Sequence, residues 1–334
     1  GLTASDKLSM ARFASAARWM DWRLNVDCSV TELLDRFDQT ERLIRLLWRP
    51  LCIAALNTPP ERASARVFLN VLRDSLAAKR QASDMLLPRV DLSALFPDAA
   101  LAYVEKHGGS VTLGAHVRQI SNDDGRWRVH GDGIDAMHDR PYDMPHEPLI
   151  DTSYDAVVVA TSPSHAQALL NGLAEVPDYD YEPITTCYLQ YDARVVLPHP
   201  FLALQDDPLV RHWGQFVFDR GQLDPTQAGL LAVVVSASDE AIADGHEALV
   251  TEVCAQLAQA LQMPVLAHPE WGKAVTEKRA TFACVPDLKR PSNATAHRGL
   301  WLAGDYTEGE YPATIEGAVR SGLGAAAQLL SDAG

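Results

Sequence analysis

Several absences bound this 334-residue chain before any motif is read. Its five cysteines, Cys28, Cys52, Cys187, Cys254 and Cys284, are scattered, odd in number and never spaced as Cys-x-x-Cys. That is the pattern of buried free thiols in a reducing compartment, and it argues against a structural zinc, a redox pair or a disulfide framework. No apolar run approaches the roughly 20 residues of a membrane span; the longest, around residues 230–235, reads as a buried strand. Basic charge is in deficit, with 29 Lys and Arg against 44 Asp and Glu and a net charge of -15. Phosphate binding is dominated by counterion release at Lys and Arg, so nucleic acid is a poor partner. No signal peptide, internal repeat or low-complexity tract is visible in these residues, and the chain begins at Gly1 as though cut.

What is present is ordinary globular material, 47% apolar and 22% charged, and long enough for one large domain or two interleaved ones. The first hundred residues carry helical periodicity. Phe13, Ala17, Met20 and Leu24 share one face of a segment that also carries Arg12, Arg18, Trp19, Trp22 and Arg23. It reads as an amphipathic helix with a solvated basic face rather than a membrane-interface helix. A second helix is expected over residues 41–56. A third is expected to start at Thr58, with Pro59 and Pro60 in its first turn and Glu61 closing a capping box.

From residue 110 the period changes to two. Val111, Leu113, Ala115 and Val117 alternate with polar partners, as do Trp127 and Val129 after a turn at residues 122–125. Residues 131–152 read as an exposed loop, and His138 and His146 within it as loop histidines without metal-ligand spacing. Residues 155–160 (DAVVVA) form a continuous apolar run expected of a parallel strand covered on both faces. Strands are expected over 185–191, 213–218, 230–236 and 273–283, and a helix over 246–261.

The segment with most chemistry in it is the last. A short apolar strand, Gly299 to Ala303, leads through Gly304 to Asp305, then a loop, then a helix rich in small residues. Ligands of open α/β sheets bind beyond the carboxyl ends of strands, and a helix amino end offers free N–H groups and a positive dipole. Gly317, Ser321 and Ala325 recur every four residues, with Ala318, Gly322 and Ala326 beside them, so one helix face is nearly flat.

The string LAGDYTEGEYPATIEGAVRSG (residues 302–322) resembles the C-terminal FAD motif of the flavin amine oxidase and phytoene desaturase superfamily. More narrowly, LWRPLCIAALNTPPERASARVFLNVLRD (residues 47–74) and KRATFAC (residues 278–284) resemble the hydroxysqualene dehydroxylases, also called squalene-associated FAD-dependent desaturases. The resemblance implies an α/β (mixed α+β) fold: a discontinuous, incomplete Rossmann-like FAD domain over residues 103–162 and 276–331. Residues 1–102 and 163–275 would form a substrate domain of helices and antiparallel sheet. It implies FAD as cofactor, Asp305 beside Gly304 bonding a ribityl hydroxyl, and the N–H groups of Thr314 and Ile315 at the pyrimidine edge. Val117 would contact adenine, and Ala160 and Thr161 the pyrophosphate.

Tyr306, Tyr311 and Glu316 are the nominees for an acid near the reacting centre, and Arg279 for a contact to substrate or flavin. The implied activity is reductive removal of the hydroxyl of hydroxysqualene, in hopanoid-type lipid synthesis at the cytoplasmic membrane face, with a long polyisoprenoid as substrate and a separate electron donor. A carotenoid or squalene desaturase, a flavin amine oxidase, and a non-enzymatic lipid-binding remnant stay open. The family's opening strand–GxGxxG–helix unit is not in this sequence; Gly322 and Gly324 lie inside the last helix. Weak or absent FAD binding and no activity are therefore expected of this piece alone.

Overall fold

A computed structural model of the chain describes residues 1–75, 77–132 and 150–333. The helices are α1 (Ala4–Trp19), α2 (Val30–Arg36), α3 (Glu41–Leu43), α4 (Arg49–Leu56), α5 (Ala65–Asp74), α6 (Leu92–Leu95), α7 (Pro97–Lys106), α8 (Pro163–Leu170), α9 (Arg220–Leu223), α10 (His246–Ala260) and α11 (Ile315–Ala333). The strands are β1 (His116–Asp123), β2 (Arg126–Asp132), β3 (Ile150–Tyr154), β4 (Val157–Val159), β5 (Tyr181–Gln190), β6 (Phe201–Ala203), β7 (Phe216–Asp219), β8 (Leu230–Ser236), β9 (Trp271–Phe282) and β10 (Leu300–Leu302). The chain divides into two compact units, residues 1–84 with 179–288, and residues 85–178 with 289–334. The boundaries expected from sequence were 102/103, 162/163 and 275/276. No described helix is long and apolar enough to cross a membrane.

The first unit is the helical block plus a five-stranded antiparallel sheet of order β6-β7-β8-β5-β9. One sheet face is covered by α10, whose Leu249, Val253, Cys254 and Leu257 pack on Cys187, Leu189, Leu231 and Val233. The apolar run of residues 230–236 is buried along most of its length, with Leu231, Val233 and Val235 in the core under α10. In the helical block Phe13 meets Trp48 edge-on at 5.3 Å, and Trp48 meets Phe68 at 6.3 Å. Between α3 and α4 the chain makes a π-helical turn, Ile44–Trp48, in which the Arg49 N–H reaches back to the Ile44 carbonyl. Pro50 follows at once, and a residue with no N–H to donate fits a widened turn. Burial pushes the Cys52 and Cys187 thiols up to about 12.

Four expectations need correcting. The third helix starts at Ala65, with Ser64 as its cap, not at Thr58. Residues preceding proline are driven out of the helical region, and both Thr58 and Pro59 precede one. The Thr58 hydroxyl instead donates to the Leu56 carbonyl at 3.0 Å and accepts from the Cys284 N–H at 3.1 Å. Strand β1 starts at His116 rather than residue 110; Gly114, at φ +69, breaks the extended run and leaves Leu113 72% exposed. Strand β4 is covered on one face only, Val159 being buried and Val158 38% exposed. Finally, β2 and β3 reach into both ends of the supposed loop, pairing Gly131 with Ile150. His138 and His146 lie outside the described residues.

In the second unit β1, β2 and β3 form an antiparallel meander, closed at Asp124 and Gly125, both at positive φ as a tight hairpin turn requires. Trp127 of β2 is fully buried, and its indole N–H donates to the Arg298 carbonyl at 3.0 Å. Beside the meander β4 and β10 pair in parallel, Val157 opposite Leu300 and Val159 opposite Leu302. Trp301 and Ala303 pack on Ala325 of α11.

Candidate functional site

Strand β10 is buried at all three residues, so its direction is set by the core of the second unit. The Ala303 N–H donates to the Val159 carbonyl at 2.9 Å, continuing the parallel pairing. The carboxyl ends of the two strands therefore lie side by side, Ala160 and Thr161 after β4 and Gly304 and Asp305 after β10. Both Ala160 and Thr161 are exposed. At Gly304 a side chain is impossible: a Cβ would lie 2.5 Å from the ring of Tyr306, which is completely buried.

Asp305 is half-buried. Burial raises its carboxyl above the ordinary carboxylate range, opposed by the N–H groups of Asp305 and Tyr306 that bond the charged form. A partly desolvated carboxylate at a strand end is a strong acceptor for a ligand hydroxyl.

The loop that follows turns back on itself. The Ala313 N–H donates to the Asp305 carbonyl at 3.2 Å, with Ala313 held at φ +56. A non-glycine residue at positive φ costs about 1 kcal/mol, which the surrounding bonds must offset. The Thr314 hydroxyl donates to the Tyr311 carbonyl at 2.8 Å and accepts the Gly317 N–H at 3.0 Å, capping α11. The N–H groups of Ile315 and Glu316 belong to the first turn, where no helical carbonyl lies behind them to accept. Gly317 is needed for close approach, since a Cβ there would lie 2.1 Å from the Tyr311 carbonyl oxygen.

Arg320 fastens the outer side: its guanidinium pairs with Glu316 at 2.6 Å and Glu310 at 3.5 Å and lies 4.8 Å from the Tyr311 ring centroid. A cavity of about 80 Å³ opens here, lined by Asp305, Tyr311, Gly317 and Arg320 among others. A larger cleft, about 660 Å³, lies at the opposite, amino ends of β4 and β10, against Asp155, His297, Arg298 and Trp301.

The structure thus brings Gly304, Asp305, Thr314 and Ile315 into one strand–turn–helix unit, with Ala160 and Thr161 beside its strand. Val117 sits on the separate meander, opposite Gly131. Tyr306 packs beneath Gly304 and Tyr311 lies against Arg320, so both phenols are built into the loop. Glu316 is exposed and paired with Arg320. Arg279 belongs to the first unit, where its guanidinium lies 5.5 Å from the Tyr181 ring centroid. Sequence reasoning missed the polar residues behind the loop, Arg290, Asn293 and Ser321; the one signal was a serine inside a row of Gly and Ala.

These residues fit the ribityl and pyrimidine end of a flavin: a half-buried carboxylate acceptor at a strand end and, beside it, a helix amino end whose first N–H groups have no helical carbonyl to bond. A family model for flavin-containing amine oxidoreductases matches residues 5–330. The chain belongs to that family. It is 32% identical over 286 residues to a hydroxysqualene dehydroxylase of Rhodopseudomonas palustris, covering 84% of this chain and 61% of that protein. It is 30% identical over 295 residues to a hydroxysqualene dehydroxylase of Sinorhizobium fredii, covering 87% and 63%. The chain thus spans about three fifths of the length of these curated relatives. Among solved structures, an oxidoreductase from Methanosarcina mazei superposes with a TM-score of 0.66 over 98% of this chain and 73% of that one, at 14% identity, which shows a shared fold. Membership of this flavin-containing family makes FAD the cofactor.

Proposed function

We propose that this chain is the larger part of an FAD-dependent oxidoreductase that reductively removes the hydroxyl of hydroxysqualene to give squalene. The observation that carries the reading is the β10–Asp305–α11 unit, in a chain about 30% identical to proteins of that name. In the balanced reaction a C–O bond breaks, a C–H bond forms, and the hydroxyl leaves as water after taking a proton. Reduced FAD, when bound, supplies the hydride, and a separate electron donor must reduce it again.

The chain's own part is to bind, orient and exclude water. Asp305 would accept from a ribityl hydroxyl, and the N–H groups of Thr314 and Ile315 would face the pyrimidine edge. Ala160 and Thr161, exposed at the end of β4, suit the pyrophosphate, and Val117 is the nominee for the adenine. Of the residues named for proton delivery in the flavin-binding unit, Tyr311 and Glu316 have accessible side chains, whereas Tyr306 is enclosed. Arg279 remains the nominee for a substrate contact.

The substrate would be a hydrocarbon, and the first unit offers a surface for one. The sheet face turned away from α10 carries Tyr188, Phe201, Phe216, Phe218 and Val234, all half-buried. Phe201 lies 5.4 Å from Phe216 and 4.9 Å from Phe218. Dry walls of this kind protect a cationic allylic centre from recapture by water. Hopanoid-type lipid synthesis, met at the cytoplasmic face of the membrane, is the setting this reading implies.

The test is incubation of the protein, expressed from its complete reading frame, with FAD, a chemical reductant and hydroxysqualene, followed by mass-spectrometric product analysis. Squalene formed in proportion to enzyme is the expected result. No squalene, or desaturation of a more saturated isoprenoid with flavin as the acceptor, would reject the reading.

A further inference from the structure

Ser321 lies in the second turn of α11, 5% exposed, in the row of small residues between Gly317 and Ala325. A hydroxyl buried against a strand is costly unless it is bonded, and this one is bonded three ways. The Asn293 side-chain amide donates to Ser321 Oγ at 2.8 Å and the Gly304 N–H donates to it at 3.0 Å. The Thr307 hydroxyl lies 2.7 Å away.

Its partners extend the network. The Asn293 amide also donates to the Leu302 carbonyl at 2.8 Å and to the Ser321 carbonyl at 3.2 Å. The Thr307 hydroxyl lies 3.1 Å from the Gly304 carbonyl. The Arg290 guanidinium donates to the carbonyls of Thr307 at 2.7 Å and Gly309 at 2.5 Å. A hydroxyl has one proton to give. Thr307 is the donor to Ser321 Oγ, its one proton shared with the Gly304 carbonyl, and Ser321 Oγ also accepts from Asn293 and the Gly304 N–H. One side chain on the helix then ties down both ends of the Gly304–Thr307 turn that carries Asp305.

We propose that Ser321 is a positioning residue for the flavin: with Asn293, Thr307 and Arg290 it fixes the Asp305 turn to α11, so that the carboxylate and the helix amino end meet one ligand in fixed register. This rests on the flavin reading above. Ser321 acts through Asp305; its contacts order the turn in advance, which spares the ligand the entropic cost of ordering it.

The experiment compares Ser321→Ala with Ala325→Gly in the protein expressed from its complete reading frame. Ala325 is fully buried one turn further along the same helix and packs on the same strand, so its substitution loosens α11 without touching the turn. FAD affinity is read by titrating the apoprotein, the flavin environment by its visible spectrum, and the turn by amide exchange at Gly304 in the apoprotein. Both variants are expected to melt earlier. Only Ser321→Ala should weaken FAD binding, by about tenfold, the loss of roughly one hydrogen bond made to a charged group. It should also shift the flavin spectrum and speed exchange at Gly304, while Ser321→Thr, which keeps the hydroxyl, recovers slow exchange.

Unchanged FAD affinity and spectrum in Ser321→Ala, or an equal loss in Ala325→Gly, would overturn the proposal. A wild-type protein that takes up no FAD would refute the flavin reading instead. The amide-exchange comparison would then still decide whether Ser321 holds the turn.

Discussion

Replacing Gly317 by alanine sets two effects against each other, and the structure says which wins. By intrinsic helix propensity the change should stabilise by up to about 1 kcal/mol. The new Cβ, however, would lie 2.1 Å from the Tyr311 carbonyl oxygen, where carbon–oxygen contacts settle near ~3.3 Å. About 1 Å must therefore be found by moving backbone. The carbonyl cannot simply swing away: it accepts the Thr314 hydroxyl at 2.8 Å, and its loop is closed by the Ala313 to Asp305 bond at 3.2 Å. Overpacking against fixed backbone costs about 1–3 kcal/mol, and the clash with backbone places it in the upper part of that range, so after the propensity gain the net loss is up to about 2 kcal/mol, or up to roughly 6 °C in melting temperature for a unit of this size. Gly322 on the same helix has nothing within 4 Å of its would-be Cβ, so Gly322→Ala in this chain should gain about 0.5–1 kcal/mol. Thermal and urea unfolding followed by circular dichroism measures both. A Gly317→Ala chain that melts at or above the wild-type temperature would refute the close-approach argument.

Asn57 is the hub of the first unit: its amide donates to the Glu182 carbonyl and the Thr281 hydroxyl, its carbonyl oxygen accepts from the Ala237 N–H, and its φ is +47. Asn57→Ala should cost about 2–4 kcal/mol and Asn57→Gly about 1 kcal/mol less, because glycine keeps the left-handed conformation at no strain; urea melts giving equal values would contradict this. Burial holds the Asp305 carboxyl above its unfolded value, so the folded state binds this proton more tightly and loses stability as pH rises from about 4 through the folded pKa. Asp305→Asn should therefore be more stable than wild type near neutrality and equal to it below that window, while binding FAD less well; the opposite pH trend in paired urea melts would reverse the assignment. Cys52 and Cys187 are buried with raised pKa, and Cys28 is the one half-exposed cysteine, so a thiol reagent should titrate at most one of the five in the native protein and all five after denaturation.

Where local pattern and tertiary burial agree, the elements are legible from sequence. Residues 230–236 show as a strand because their apolar run is continuous and mostly buried, and α10 shows its buried Leu249, Val253 and Leu257 at helical spacing. The Asp305 unit was visible as a strand, a carboxylate and a small-residue helix. Residues 110–115 misled because alternation is a weak signal over six residues, and a single positive-φ glycine outweighs it. The Thr58 capping pattern misled because its residue types match a helix start while two prolines forbid one. The Ser321 network could not be read at all, since Asn293, Gly304, Thr307 and Ser321 meet only when β10 and α11 are packed. The same holds for Asn57, whose three partners come from β5, β9 and the residue after β8.

The central claim is that the amino end of α11 and Asp305 receive the flavin ring. Nitrogen-detected amide shifts of the purified protein, titrated with FAD and in parallel with ADP, test it most directly. Large shifts at Thr314 and Ile315 with FAD, absent with ADP, are predicted; FAD binding that leaves those two amides unmoved would contradict the account.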